Sequence, residues 1–515
     1  MNAQGFQREK AERAGSVMTR GDQSQTLQSR AASGLRWTIV NVIGEKVLSF
    51  GTTMVLARLL DPRHFGLYAL AFVVIDSFGI FKNLGLDAAI VQRRDRVEEA
   101  ADTAVIVLPF IGMLLCALLY LIAPAAATWM GNPEAGKPIQ ALGLSLVIMS
   151  AGNVPAALIQ RQMRFRLRTV ANLIGMVVYA LVAVVLAMYG FEIWSLVIAY
   201  LLRWVLTTLL QWIALGWVPR WRFDVSLFKE MLHYSKYIVG AWLVGFLASN
   251  ADKVIIGRWL GATQLGYYTL CFGLANIVTS QLSTRVYLVA FPAFAEAQDT
   301  PELLRRGFLK LMKYLVMCSL PVSTLLIMAP ADLLGIFYGG RWIVAAPVLQ
   351  ILAIAGVLQV IRSGIEPVLL GCGRSREVFT LNLLQLILLV LGGVPAAQTG
   401  RATAVAWASA LAAGVPSLIG VRLVMKQIGI RFSELVQQLR PTALSVLLMV
   451  IAVSIGGIGH RTLGDSSILA WASAVMLIAT GGLAYILGLL RWDRPVTQEM
   501  LRLVWPRIPT IVKGS

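Results

Sequence analysis

The chain has 515 residues, of which 57% are hydrophobic and only 14% charged, with a mean hydropathy of +0.73. A soluble protein would carry roughly 25% charged residues, and repeated apolar runs of about 20 residues suffice to cross a bilayer, so a soluble enzyme is excluded in favour of an all-α polytopic membrane protein. The net charge of +19 does not imply nucleic acid, because membrane proteins collect Lys and Arg in cytoplasmic loops.

Residues 1–33 are polar and mixed in charge, and read as a disordered cytoplasmic tail with no signal peptide. Fourteen candidate spans follow, at roughly 35–57, 65–84, 102–123, 138–160, 169–189, 192–215, 235–257, 264–291, 308–328, 343–371, 377–396, 402–421, 441–459 and 467–490. Alternate loops are basic: Arg93, Arg94 and Arg96; Arg161, Arg164, Arg166 and Arg168; Arg220, Arg222 and Lys229; Arg305, Arg306 and Lys310; Arg374 and Arg376; Arg422, Lys426 and Arg431. The intervening loops carry one or two cations at most. This asymmetry places the basic loops and both termini in the cytoplasm.

A stretch occurs twice. Leu56-Ala57-Arg58-Leu59-Leu60 running into Gly66-Leu67-Tyr68-Ala69-Leu70 returns, 200 positions on, as Ile256-Gly257-Arg258-Trp259-Leu260 running into Gly266-Tyr267-Tyr268-Thr269-Leu270. Pro155 before Asn172 and Pro367 before Asn382 supply a second register. Spans one and two therefore correspond to spans seven and eight. An even shift of six spans makes the repeat parallel, about an axis along the membrane normal. The expected organisation is an N-terminal six-helix lobe at 34–217, a linker helix lying in the interface at 218–234, and a C-terminal six-helix lobe at 235–425. A second interfacial helix at 426–440, two further spans within 441–490 and a cytoplasmic tail at 491–515 complete it. Asp224 and Ser433 are the expected N-caps of the interfacial helices. Gly66 and Gly266 are expected at outer turns that need a small residue.

Polar residues inside the spans carry the candidate chemistry, since an ionisable group in a bilayer usually faces a cavity or a partner. Span one places Asn41 and Glu45 on one face with Thr38, Ser49 and Thr52, and Lys46 stands beside Glu45. Span two carries Asp76, Asn83 and Asp87. Arg203 lies in span six and Asp252 closes span seven beside Lys253. Asn276 and Arg285 lie in span eight. Gln359, Arg362 and Glu366 lie in span ten, with Asn382 and Gln385 following. One reading is a hydrated cleft. The other is that Glu45–Lys46, Asp252–Lys253 and Arg362–Glu366 are local pairs that neutralise each other. Arg58 and Arg258 read as interfacial or helix-capping cations. Cys116, Cys271, Cys318 and Cys372 read as packing residues, and with three histidines no metal or cofactor is expected.

Ala57-Arg58-Leu59-Leu60-Asp61-Pro62 with Phe65-Gly66-Leu67-Tyr68-Ala69-Leu70, Leu84-Gly85-Leu86 and Ala89-Ile90-Val91-Gln92-Arg93 resembles the opening of Wzx-type polysaccharide flippases of the MOP superfamily. Asn250-Ala251-Asp252-Lys253-Val254-Ile255-Ile256-Gly257, Gly266-Tyr267-Tyr268 and Phe291-Pro292-Ala293-Phe294 resemble the start of their second half. The resemblance covers about residues 30–425. It implies two six-helix lobes, alternating access, and transfer of an undecaprenyl-pyrophosphate-linked sugar unit across the bacterial inner membrane. The implied partners are that substrate and membrane lipids, with a polysaccharide polymerase and a chain-length regulator as candidates. A pyrophosphate in low dielectric needs cations, for which Lys46, Arg203, Arg285 and Arg362 are the candidates. Asn41, Asn276 and Gln359 could bind sugar. Glu45, Asp76, Asp87, Asp252 and Glu366 are candidates for ion or proton coupling. A cation-coupled small-molecule antiporter of the MATE-like fold is the alternative. A membrane enzyme is disfavoured because every outer loop is short.

Overall fold

A computed structural model describes residues 36–494 other than 80, 83–85, 87–89, 91–94, 221 and 462–466, and gives no side-chain placement at 227–244, 278–285, 288 and 456–474. Residues 1–33 and 495–515, with Asp87, Asn83, Arg93 and Arg94, lie outside the described residues, as does the side chain of Arg285.

The described chain is helical nearly throughout. The helices are α1 (Arg36–Leu59), α2 (Pro62–Gly79), α3 (Val97–Trp129), α4 (Gly136–Arg161), α5 (Phe165–Met188), α6 (Glu192–Leu215), α7 (Val225–Ala275) and α8 (Ile277–Glu296). They continue with α9 (Pro301–Met328), α10 (Pro330–Tyr338), α11 (Ala346–Gly371), α12 (Ser375–Gln398), α13 (Ala402–Ile428), α14 (Phe432–Arg461) and α15 (Ser467–Trp492). Helices satisfy their own backbone groups, which is what a bilayer demands of spanning segments. Among the described residues, 11 helices are long and apolar enough to cross a membrane. α2 is outside that set because Arg63, His64 and Asp76 fall within its 18 residues.

Local chemistry sets the helix ends. Gly216 and Gly429 close α6 and α13 in the left-handed region (φ 63° and 70°), which a β-carbon disfavours. Pro301 and Pro330 open α9 and α10, where a missing N–H costs nothing. Two turns 210 positions apart share one hydrogen-bond pattern. Gln162, Met163 and Arg164 N–H donate to the carbonyls of Leu158, Gln160 and Ile159, and Cys372, Gly373 and Arg374 to those of Val368, Leu370 and Leu369.

Contacts divide the chain into two compact units. One comprises the residues up to Leu60, Val74–Thr128 and Pro133–Leu243; the other comprises Asp61–Val73, Trp129–Asn132 and the chain from Val244 on. α7 runs unbroken from Val225 to Gly261, whose φ of 84° and ψ of 174° interrupt the helix, and the division falls inside it. The segment read as an interfacial helix and the span after it are one element, and likewise α14 runs through both 432–440 and the following span. Asp224 caps α7 as expected, its Oδ1 accepting from Ser226 N–H at 2.8 Å. Ser433 does not cap, because α14 already begins at Phe432.

The first unit buries Leu86, Ile90, Ala100, Ala104, Leu108, Val154, Ile159 and Leu215 around the start of α3. In the second, Phe294, Phe308, Met312, Leu315, Val360, Val368 and Val424 form one core. Met317 on α9, Met449 and Val453 on α14, and Tyr485 and Leu489 on α15 form another. Gly66 and Gly266 are not in turns: both lie one turn inside helices, in close backbone contact within the second unit.

Candidate functional site

In the first unit α1 and α6 bring two charges together. Arg203 Nη2 is 3.5 Å from Glu45 Oε1, with the side chains 21% and 29% exposed. The guanidinium carbon is 5.4 Å from the Trp204 ring centroid, and Trp204 stands edge-on to Tyr200 at 6.2 Å. Asn41 lies one turn before Glu45 and its buried Oδ1 has no hydrogen-bond partner among the described residues. Glu45 therefore pairs with Arg203 and not with its neighbour Lys46. Lys46 is exposed beside Ile43 and Val47, about 100° round the helix from Glu45. Asp76, on α2, is exposed.

In the second unit Arg362 is buried on α11. Its Nε donates to Glu366 Oε1 at 3.1 Å, the local pair that the i, i+4 spacing suggested, and its Nη1 contacts Gln385 Oε1 on α12. Gln359 is exposed on α11. Asp252, 5% exposed, accepts the Tyr268 hydroxyl at 2.6 Å and the Lys253 N–H at 2.8 Å. Tyr268 Oη is also 3.2 Å from Ser409 Oγ. Lys253 Nζ turns away from Asp252 to Asn250 Oδ1 at 2.7 Å and lies 4.9 Å from the Phe272 ring centroid. Asn276 sits at the break between α7 and α8, its amide donating back to Phe272 C=O.

The candidates thus gather into three separate clusters: Asn41–Glu45–Arg203, Arg362–Glu366–Gln385 and Asp252–Tyr268–Ser409. A cation with one long ion-pair contact and partial exposure, as Arg203 has, can exchange its carboxylate for another anion. A carboxylate held by a buried hydroxyl, as Asp252 is, is closed to a large ligand.

Two charged features escaped the sequence reading. Lys313 and Asp493 form an ion pair of 2.6 Å with side chains only 8% and 7% exposed. Asp102 is 2% exposed and accepts the Arg220 N–H at 2.8 Å. Lys313 lies five residues inside the ninth expected span, a signal that was available; Asp493 and Asp102 fall at span edges, where charge is ordinary. Among the described residues no cluster of His, Cys, Asp and Glu could hold a metal.

Comparison with known proteins adds the lineage. Residues 55–347 match the family described as polysaccharide biosynthesis protein. The teichuronic acid biosynthesis protein TuaB of Bacillus subtilis is 26% identical over 485 residues, 93% of this chain and 99% of TuaB. The lipopolysaccharide biosynthesis protein WzxC of Escherichia coli is 25% identical over 392 residues, 73% of this chain and 77% of WzxC. In fold, the chain is similar to the lipid II flippase MurJ in an inward closed conformation, with a TM-score of 0.73, 13% identity, and coverage of 90% of this chain and 99% of MurJ. It is also similar, at a TM-score of 0.62, 17% identity and coverage of 76% and 96%, to an inward-facing MATE family multidrug transporter of the MOP superfamily. The chain belongs to the polysaccharide biosynthesis protein family.

Proposed function

We propose that this chain is a flippase that moves an undecaprenyl-pyrophosphate-linked oligosaccharide across the bacterial inner membrane, by alternating access, for surface or exopolysaccharide biosynthesis. The observation that carries this reading is the Glu45–Arg203 pair. Arg203 lies near the middle of the apolar 24-residue α6, partly exposed, and held by one contact of 3.5 Å. A guanidinium in low dielectric is a strong partner for pyrophosphate oxygens, which it can bind bidentately. Glu45 keeps that cation neutralised until the substrate anion takes its place. The Trp204 and Tyr200 rings next to it offer flat faces to sugar rings, and Asn41 offers an amide. Arg362, with Gln385 and Glu366, plays the equivalent part in the second half, and Arg285, Lys46, Asn276 and Gln359 are further candidates along the path.

Two six-helix lobes in parallel repeat, with two added helices and fourteen spans, suit this role. The shared turn pattern and the 200-residue offset of the Gly66 and Gly266 contacts support the repeat. The basic loops and both termini face the cytoplasm in this reading. Glu45, Asp76, Asp87, Asp252 and Glu366 are the candidates for ion or proton coupling, with Asp252 favoured because Tyr268 shields its carboxylate from competing ligands. A polysaccharide polymerase and a chain-length regulator would receive the product. The small-molecule antiporter reading has less support, since the likeness to MurJ spans more of the chain than the likeness to the MATE transporter.

Deletion of the gene tests the proposal. Loss of surface polysaccharide with lipid-linked oligosaccharide accumulating on the cytoplasmic side is expected. Normal surface polysaccharide in the deletion strain would overturn it.

A further inference from the structure

The connection between α6 and α7 joins the first six expected spans to the rest, and it is fastened at several points to the start of α3. Asp102 Oδ1 accepts the Arg220 N–H at 2.8 Å. One residue on, Thr103 Oγ1 accepts the Asp224 N–H at 3.2 Å. Asp102 and Thr103 are 2% and 0% exposed, so water does not compete for either bond. Arg96, just before α3, reaches the same segment: its Nη2 donates to Asp224 Oδ2 at 2.7 Å, and its Nε to Glu99 Oε2 at 2.6 Å. Arg220 and Glu98 add a looser, exposed ion pair at 3.7 Å. Trp217, at the beginning of the connection, stacks on Trp212 at 6.1 Å, and Trp212 donates its indole N–H to Ala151 C=O on α4 at 3.0 Å.

Two features set this apart from a loop lying on a surface. A carboxylate buried to the degree of Asp102 costs free energy unless it is hydrogen-bonded, and the bond it makes is to the linker backbone. Arg96 adopts a φ of 51°, a conformation unfavourable for a residue with a β-carbon, while its side chain bridges Glu99 and Asp224. Asp224 itself takes both the N–H and the hydroxyl of Ser226 on Oδ1 (2.8 and 2.6 Å). One aspartate thus caps α7 and ties that cap to α3.

We infer that Asp102 is a positioning residue, which with Thr103 and Arg96 makes the connection between the two halves a fixed strap on the first unit and not a free tether. Any movement of α3 is then passed to the first turn of α7 through the strap. A loose tether would absorb it. The inference uses the carboxylate of Asp102 as a hydrogen-bond acceptor and not as a charge, and the amide oxygen of asparagine can accept the same bond. That separates Asp102→Asn from Asp102→Ala. Thr103→Val removes the second acceptor at nearly constant shape, and it serves if Asp102→Ala does not fold.

The test is limited trypsin digestion of the purified full chain in detergent, following cleavage after Arg220 and Arg222 by mass spectrometry, with export measured for each variant in cells at equal abundance. Cleavage is expected to quicken about tenfold in Asp102→Ala and several-fold in Thr103→Val, and to stay at the wild-type rate in Asp102→Asn. Export is expected to fall about tenfold in Asp102→Ala and to be retained in Asp102→Asn. Wild-type cleavage rates in both Asp102→Ala and Thr103→Val would overturn the strap. Undiminished export by Asp102→Ala would overturn the positioning role. Only the export arm rests on the proposed transport function. Cleavage needs no substrate, so a failure of that function leaves the digestion result to decide the strap.

Discussion

Gly66 and Gly266 make reciprocal contacts. A β-carbon on Gly66 would lie 1.7 Å from the carbonyl oxygen of Ala262, and one on Gly266 would lie 1.9 Å from the carbonyl oxygen of Pro62. Pro62 and Ala262 are 200 positions apart, as the two glycines are, so each helix start presents the same face to the other. Neighbouring contacts within the same unit reinforce the junction. Arg341 Nη1 pairs with Asp61 Oδ1 at 2.7 Å, and the buried Trp342 receives the rings of Phe65 and Tyr267 edge-on at 5.5 and 5.6 Å.

Because the obstruction is backbone and not a pliable side chain, neither glycine has a tolerated substitute. Gly66→Ala and Gly266→Ala should each cost about 3 kcal/mol, the upper end of overpacking penalties. The double variant should cost clearly less than the sum, since one added methyl already forces the helices apart. Apparent melting temperatures in detergent check this; simple additivity would contradict the shared contact.

The Lys313–Asp493 pair gives a different signature. Removing one partner from a buried ion pair strands a charge, at about 3–5 kcal/mol. Lys313→Met and Asp493→Leu should each be severely destabilising, whereas combining them should recover most of the loss. The Asp61–Arg341 pair is 67% and 45% exposed, so Asp61→Asn should change stability by less than about 1 kcal/mol. Thermal unfolding of the four variants ranks these effects, and equal losses for Asp493→Leu and Asp61→Asn would show that burial is not the deciding factor.

Much of this was legible in the sequence, because hydropathy and the spacing of Gly and Pro report directly on helices that must satisfy their own backbone in lipid. The 200-residue offset was visible in Arg58, Gly66 and Tyr68 against Arg258, Gly266 and Tyr268. Pairing was not legible. Glu45 has Lys46 beside it in the sequence, yet its partner is Arg203, more than 150 residues away, because neighbours on a helix point in different directions while α1 and α6 converge. Gly66 reads as a turn residue for a similar reason: a close approach between helices leaves no mark in local sequence. The fastening of Arg220 and Asp224 by Asp102 and Thr103 was not legible either, because those two look like ordinary residues at a span edge.

The proposed topology rests on the arginine distribution. In a background lacking Cys116, Cys271, Cys318 and Cys372, Arg164→Cys should react with an impermeant thiol reagent only after the cells are opened, and Lys137→Cys should react in intact cells. The reverse labelling pattern would invert the assigned orientation.

Asp252 supplies the coupling test. Asp252→Asn keeps the shape and the acceptor for Tyr268 but cannot titrate. Export that no longer responds to the proton or cation gradient, at normal protein abundance, is the expected outcome. Export that keeps its full gradient dependence would assign Asp252 a purely structural bond to Tyr268.

The transport claim itself is tested most directly by the purified protein in sealed liposomes that contain an undecaprenyl-pyrophosphate-linked oligosaccharide, with an impermeant glycosidase added outside. Wild-type protein should make nearly the whole lipid-linked pool cleavable, where protein-free liposomes leave about half protected inside. Arg203→Ala should slow that conversion at least tenfold, because the substrate anion loses its partner inside the span. A protected half that persists with the wild-type protein would contradict the account.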